Sequence, residues 1–124
     1  MTQDTIIAIC GTRQDLDAPV EPVLGRANFF HIANLRTGET QALPNPYKDM
    51  REGCGVLCAQ FLAERGVHAV LTGNCGPRAA RALREAGLSI SYPHTGSVRE
   101  AMESFRLKRT SSPQNPEAQP RIPD

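Results

Sequence analysis

Neither sign of charge dominates this sequence of 124 residues: 14 basic side chains stand against 13 acidic ones, for a formal net charge of +1. No broad field is available to attract a nucleic acid or an anionic membrane, so any anion site must be local. A long hydrophobic segment is also lacking, and Met1 to Thr5 lead into a short apolar stretch without a basic region. That pattern argues against a signal peptide and a membrane span, and a cytoplasmic location is expected. No internal repeat is visible. The length fits one domain, able to bury a core without disulfide or metal staples. In a reducing compartment the cysteines Cys10, Cys54, Cys58 and Cys75 are free thiols, metal ligands or redox groups in preference to structural disulfides.

The apolar, β-branched run at residues 5–10, followed by Gly11-Thr12, predicts a buried first strand. Residues 15–25 contain Pro19 and Pro22 without sustained periodicity and read as a loop. A second strand follows at 29–35, then turn chemistry at Arg36-Thr37-Gly38-Glu39 and a hairpin partner at 40–43. Pro44-Asn45-Pro46 ends that strand, and the polar segment to Glu52 reads as an exposed connection.

Leu57, Phe61 and Leu62 give residues 54–65 a helical stripe that stops at Gly66, and residues 67–72 form a strand. Gly73-Asn74-Cys75-Gly76-Pro77 turns into a second helix, with Pro77 at its first position and Gly87 at its end; residues 88–92 make the last strand. Ser97 and Glu100 form a capping-box pattern ahead of the stripe Val98, Ala101, Met102 and Phe105. From residue 109 the chain carries four prolines and one large aliphatic residue. Such a segment buries too little apolar surface to offset its ordering entropy, so residues 1–108 are expected to form the domain and 109–124 a disordered tail.

The order β, hairpin, α, β, α, β, α implies a mixed sheet with right-handed crossover helices. Ligands in such sheets gather where strands end and helices begin. Cys54, the 72–77 turn and the 94–97 turn are therefore expected near one sheet edge.

Gly25-Arg26-Ala27-Asn28-Phe29-Phe30, Gly53-Cys54-Gly55, the run from Gly66 to Pro77 and Ala86-Gly87-Leu88 together resemble the dinitrogenase iron-molybdenum cofactor biosynthesis family. The resemblance covers nearly all of residues 5–107. It implies a ribonuclease-H-like α/β fold, a mixed five-stranded sheet flanked by helices. It also implies a non-enzymatic role: binding and carrying a preformed metal-sulfur cofactor, either a molybdenum-copper sulfide cluster or an iron-molybdenum-type cluster, for delivery to a protein partner. Within the family this short chain is most similar to the orange proteins, which hold a molybdenum-copper cluster without covalent attachment. Several relatives carry a histidine between the two glycines where this chain has Cys54, so an imidazole ligand is not carried over to that position.

Cys54 and Cys58 are four apart and share a helix face. Cys58 is expected to be a buried apolar filler, and so is Cys10. Cys54, flanked by glycines at a helix start, should be more exposed. Cys54 and Cys75 are the candidate metal ligands. Gly55, Asn74 and Gly76 are candidates for cofactor binding because backbone donors at a helix start can face an anion. Arg26 either pairs with an anionic cofactor or forms a surface ion pair. His94 and Thr95 complete the candidate site, although a lone histidine is more often a surface group than a ligand. His31 and His68 are expected to be structural.

Enzyme readings fare worse. A two-metal nuclease on this fold needs clustered carboxylates, and the first strand has neither Asp nor Glu. Cys75 and Arg81 have a phosphatase-like spacing, but Pro77 removes one of the amides such a loop needs, and a helix after Pro77 carries Arg81 away from it. The rival readings are a thiol redox pair of Cys54 and Cys75, which needs their Cα atoms within about 7 Å, and a metal-free interaction or regulatory module.

Overall fold

The computed structural model describes residues 5–51, 53–74 and 76–111, the side chains of 109–111 excepted. Within them β1 (Ile6–Gly11), a 3-10 turn (Leu24–Arg26), β2 (Phe29–Asn34), β3 (Thr40–Pro44), α1 (Cys54–Glu64), β4 (Ala69–Leu71), α2 (Pro77–Glu85), β5 (Ser89–Ser91) and α3 (Val98–Ser111) follow in order. The strands form one sheet in the order β3-β2-β1-β4-β5. β2 runs antiparallel to both β1 and β3, while β4 and β5 run parallel to β1. This is the mixed five-stranded α/β sheet expected above.

β1 is central, which explains its unbroken apolar run: both faces need covering. Ala8 and Cys10 join Phe30, Val70 and Ile90 on the face covered by α1 and α2. Ile7 and Ile9 join Leu71, Val98 and Met102 on the face covered by α3. Period-two alternation thus serves two cores, with Phe30 meeting Phe61 at a ring separation of 5.9 Å. Gly66 and Gly87, at φ of 76° and 87°, follow the ends of α1 and α2, where a left-handed residue releases the chain into the next strand.

β4 and β5 are shorter than the spans expected at 67–72 and 88–92. At their amino ends Val67 N and Leu88 N bond back to Leu62 O and Leu83 O at the preceding helix ends, and at the carboxyl end of β4 part of the 15–25 loop lies across the sheet's edge. Glu21 N donates to Cys10 O at 2.8 Å, and Glu21 O accepts from Gly73 N at 3.4 Å and from Thr72 Oγ1 at 3.2 Å. These bonds take up groups that a longer β1–β4 ladder would use.

The connection after Pro44 also differs from expectation. Asn45, read as part of an exposed segment, is only 4% exposed. Its Nδ2 donates to Gly25 O and Ala27 O, and its Oδ1 accepts from Tyr47 N and Cys58 Sγ. A buried amide satisfied on both ends ties the 3-10 turn to α1.

α3 begins as its sequence predicts: Ser97 Oγ accepts from Glu100 N at 3.0 Å, and Glu100 Oε1 accepts from Ser97 N at 2.9 Å. The helix extends to Ser111, past the boundary expected at residue 108; the remainder of the expected tail, residues 112–124, lies outside the described residues. Replacing Ser97 with alanine should destabilise the domain by about 1 kcal/mol through loss of the cap. Urea unfolding would measure this, and an unchanged midpoint would contradict it.

Candidate functional site

The polypeptide from Pro19 to Arg26 is a strap along the carboxyl edge of β1, β4 and β5. At one end Pro19 bridges Ser97, and Val20 N donates to Gly96 O at 2.9 Å. In the middle Asn74 N donates to Pro22 O at 2.8 Å. Gly73 is pressed so closely against Pro22 that an added Cβ would lie 2.9 Å from Pro22 Cα. At the far end a Cβ on Gly25 would lie 2.6 Å from Cys54 Sγ, so the thiol packs directly on that glycine. The strap therefore links the start of α1 to the turn before α3.

Of the candidates named from sequence, Cys54 and Asn74 touch this strap directly, and His94 and Thr95 line a cleft with it. Cys54 is half-buried and Cys58 fully buried, the relative exposure their positions implied. Burial, with Cys54 nearby adding to it, pushes the Cys58 thiol up to about 12 despite its hydrogen bond to Asn45. Gly55 marks the close approach of α1 to α2, since a Cβ there would lie 3.3 Å from Ala79 Cβ. Arg26 makes no surface ion pair among the described residues; its Nη1 donates to the carbonyl oxygens of Lys48 and Met50. Its position one residue after Gly25 puts the guanidinium within reach of that loop's backbone. Asn74, Gly76 and Thr95 are exposed. Cys75 lies outside the described residues.

His94 departs from the expected surface setting. It is 7% exposed, and its Nε2 lies 2.7 Å from Ser91 Oγ. Burial, and secondarily the charge of Lys108, lowers its pKa below the ordinary value of 6.5. It helps line an open cleft of about 400 Å³ with Pro19, Pro22, Gly73, Thr95 and Gly96. Cys54 is not part of that lining. His31 is buried, with Nε2 2.9 Å from Arg13 O, and burial lowers its pKa too. His68 accepts from Ile6 N through Nδ1. Both hold structure, as expected.

The helix starts contrast sharply. α3 is closed by its capping box, whereas α1 and α2 begin at the glycine caps Gly53 and Gly76, with no side-chain cap and no acidic residue in the first turn. Their first-turn amides lack intrahelical acceptors and carry positive partial charge. The contact between Gly55 and Ala79 brings these two starts together. Among the described residues no three His, Cys, Asp or Glu side chains converge as a metal site.

Sequence reasoning missed Asn45, Thr72 and Ser91. Asn45 carried only a turn signal between two prolines, and nothing local distinguished it from a solvated asparagine. Thr72 and Ser91 read as strand ends; their polar roles depend on the strap and on His94.

A sequence model described as dinitrogenase iron-molybdenum cofactor matches residues 5–108. The chain belongs to the dinitrogenase iron-molybdenum cofactor family. Among solved structures it is similar to the apo form of the orange protein from Desulfovibrio gigas, at 30% identity and a TM-score of 0.78, over 98% of this chain and 100% of that one. It is also similar to an NMR structure of a candidate NifB protein from Thermotoga, at 28% identity and a TM-score of 0.74, over 85% and 90% of the two chains. An uncharacterised protein of Methanocaldococcus jannaschii is 27% identical over 89 residues, which are 69% of this chain and 75% of that one. No helix among this family member's described residues is long and apolar enough to cross a membrane.

Two outcomes follow from the burial pattern. Iodoacetamide applied to the native protein should modify Cys54 well ahead of Cys58 and Cys10, which should react only after unfolding; peptide mass mapping would check the order. Stability should also fall on acidification. His31 and His94 have lowered folded pKa values, so below 6.5 the unfolded chain binds more protons than the native one, and stability is lost as pH falls through that range. The urea midpoint should be lower at about pH 5 than at about pH 7.5, and equal midpoints would contradict the two histidines being buried in neutral form.

Proposed function

We propose that this protein binds a preformed metal-sulfur cluster, of molybdenum-copper or iron-molybdenum type, as cargo at the strapped sheet edge and passes it to a protein partner, without itself catalysing a reaction. The observation that carries this reading is the pair of uncapped, glycine-started helices α1 and α2, packed start to start beside the strap. A thiometallate cluster is a bulky anion, and open amides at two adjacent helix starts suit it. Family membership and the likeness to the orange protein support the same cargo.

The residues present fit such a group. A Cβ built on Gly76 would meet no heavy atom within 4 Å, leaving the α2 start open to a bulky ligand. Gly73 lies against Pro22 in the wall of the cleft, and Gly25 at the other end of the strap packs on Cys54 at the α1 start, which supports placing the cargo along this edge.

Magnitudes limit what this cradle does alone. An open helix start is worth about 0.3–1 kcal/mol to an anion, and up to about 2 kcal/mol where partly buried. Micromolar retention needs about 8 kcal/mol. The cradle therefore orients and neutralises the cargo, and packing or a direct ligand must supply the rest.

Reconstitution with thiomolybdate and copper tests the reading, with visible absorption as the measurement. Wild-type protein should develop stable absorption bands. Cys54→Ser, Cys75→Ser and the double variant should weaken binding modestly while preserving most of the absorption. A sulfur-metal bond is not reproduced by serine, so loss of the bands in either single variant would establish thiolate ligation and overturn the subordinate role given to the cysteines.

A further inference from the structure

Val23, Met50, Val56 and Leu107 are the large apolar side chains that stand exposed among the described residues. All but Leu107 belong to segments that meet at one point. Gly25 packs on Cys54, and Gly55 beside it approaches Ala79. Val23 lies two residues before Gly25, and Val56 is next to Gly55. Met50 is drawn in by its carbonyl oxygen, which together with that of Lys48 accepts from Arg26 Nη1. Exposed apolar side chains scattered singly are ordinary, whereas a group of them within a polar rim marks a surface that another molecule covers.

The rim here is cationic. Arg26 follows Gly25, Arg51 follows Met50 and Arg78 precedes Ala79, and all three are exposed. None of them meets a carboxylate among the described residues, whereas Arg81, Arg99 and Arg106 are paired with Glu85, Asp17 and Glu103. The described carboxylates near this point in the chain are in use: Glu21 Oε2 accepts from Val23 N, and Asp49 Oδ1 accepts from Lys48 Nζ. Glu52 lies outside the described residues. With a net charge of only +1 the chain has no general pull on anions, so these arginines make a local field. Arg26 is held at Nη1 by two backbone carbonyls, which leaves its Nε and Nη2 edge for an outside acceptor. That edge matches a carboxylate in bidentate fashion, and fixing the side chain beforehand lowers the cost of using it.

We propose that this surface is the docking face for the protein that receives the cargo, and that the matching surface of that partner is apolar at its centre with Asp or Glu carboxylates around it. The assignment rests on the cargo reading above. A recipient seated here covers the start of α1 and, through Arg78, the start of α2, so the cargo passes between the two proteins without release into water. Arginine and methionine are enriched at protein interfaces, and unpaired arginines beside apolar contacts are the usual hot spots. A nucleic acid would use the arginines alone and leave the apolar side chains uncovered, and three phosphate contacts hold little at physiological salt. A membrane-binding surface draws its apolar side chains from one amphipathic helix, often with aromatics, whereas Val23, Met50 and Val56 come from three separate segments.

The test is NMR titration of the 15N-labelled full chain with synthetic peptides of equal length: an amphipathic helix of Leu and Glu, the same helix with Lys for every Glu, and a peptide of Glu alone. The Leu-Glu helix should shift the amides of residues 23–26, 50–51, 54–56 and 78–79. It should bind about tenfold more tightly than the Glu peptide, because apolar contact adds to charge, and should weaken as salt rises from about 50 to about 300 mM. Arg26→Glu, Arg51→Glu and Arg78→Glu should each lower its affinity about fivefold or more, while Arg84→Glu, the same charge change at the other end of α2, should leave it within about twofold. The wild-type shift map decides the matter even where a variant folds poorly. No binding, shifts centred elsewhere, equal binding of the Lys helix, or a loss in Arg84→Glu as large as in the others overturns the docking face. Phosphatidylglycerol vesicles and a single-stranded oligonucleotide are run alongside, and tighter binding of either at these residues than of the Leu-Glu helix also overturns it. Colour on reconstitution with thiomolybdate and copper reports separately on the cargo. Colour without peptide binding leaves the cargo reading standing and removes the docking face; peptide binding without colour sustains a face for an acidic partner and removes the cargo reading.

Discussion

The backbone hydrogen bonds of the strap at Glu21 hold the strapped sheet edge together. Its amide caps the carbonyl of Cys10 at the end of β1, and its carbonyl receives the amide of Gly73 and the hydroxyl of Thr72 beyond β4. Adjacent parallel strands end with groups that need partners, and here a single residue satisfies both ends. Because Glu21 fills the gap between β1 and β4, Pro22 is laid against Gly73, and Asn74 is bonded to the strap. Val20 and Pro19 then fix the 94–97 turn through Gly96 and Ser97. The cleft wall, the turn into α2 and the support of Cys54 all hang from this short segment.

A second constraint keeps the far end in place. Asn45 uses its buried amide to join the carbonyls of Gly25 and Ala27 to the Cys58 thiol. An unpaired amide at that depth would cost about 1–3 kcal/mol, so the 3-10 turn and α1 are registered against each other. That registration brings Gly25 onto Cys54, where there is no room for a larger residue. Cys58 is inert for the same reason: its sulfur is spent on packing and on Asn45, whereas Cys54 stands at the helix start with part of its surface in solvent.

The asymmetry among the helices separates scaffold from site. α3 begins with a closed capping box and packs Val98, Ala101 and Met102 into the core. α1 and α2 start on glycines and leave their amides open at the edge. A sequence optimised for stability alone would place Ser, Thr, Asp or Asn at those caps. The open starts and the exposed residues Asn74, Gly76 and Thr95 support the anion-binding role proposed for this edge.

Much of this architecture is legible without coordinates because its signals are local. The apolar run of β1, the stripes of α1 and α3, the glycine stops at Gly66 and Gly87 and the capping box at Ser97 each depend on neighbours a few residues away. Their order already implied a mixed sheet and placed Cys54, the 72–77 turn and the 94–97 turn at one edge. The family resemblance likewise rested on short motifs. What only the tertiary structure decided were pairings between segments remote in sequence. Glu21 with Cys10 and Gly73, Asn45 with Gly25 and Cys58, and Arg26 with the carbonyls of Lys48 and Met50 cannot be read from spacing. Asparagine, threonine and histidine are chemically identical in solvent and in a core; which one they occupy is set by hydrogen bonds across the fold, and that made Asn45 and His94 look like surface residues in the sequence.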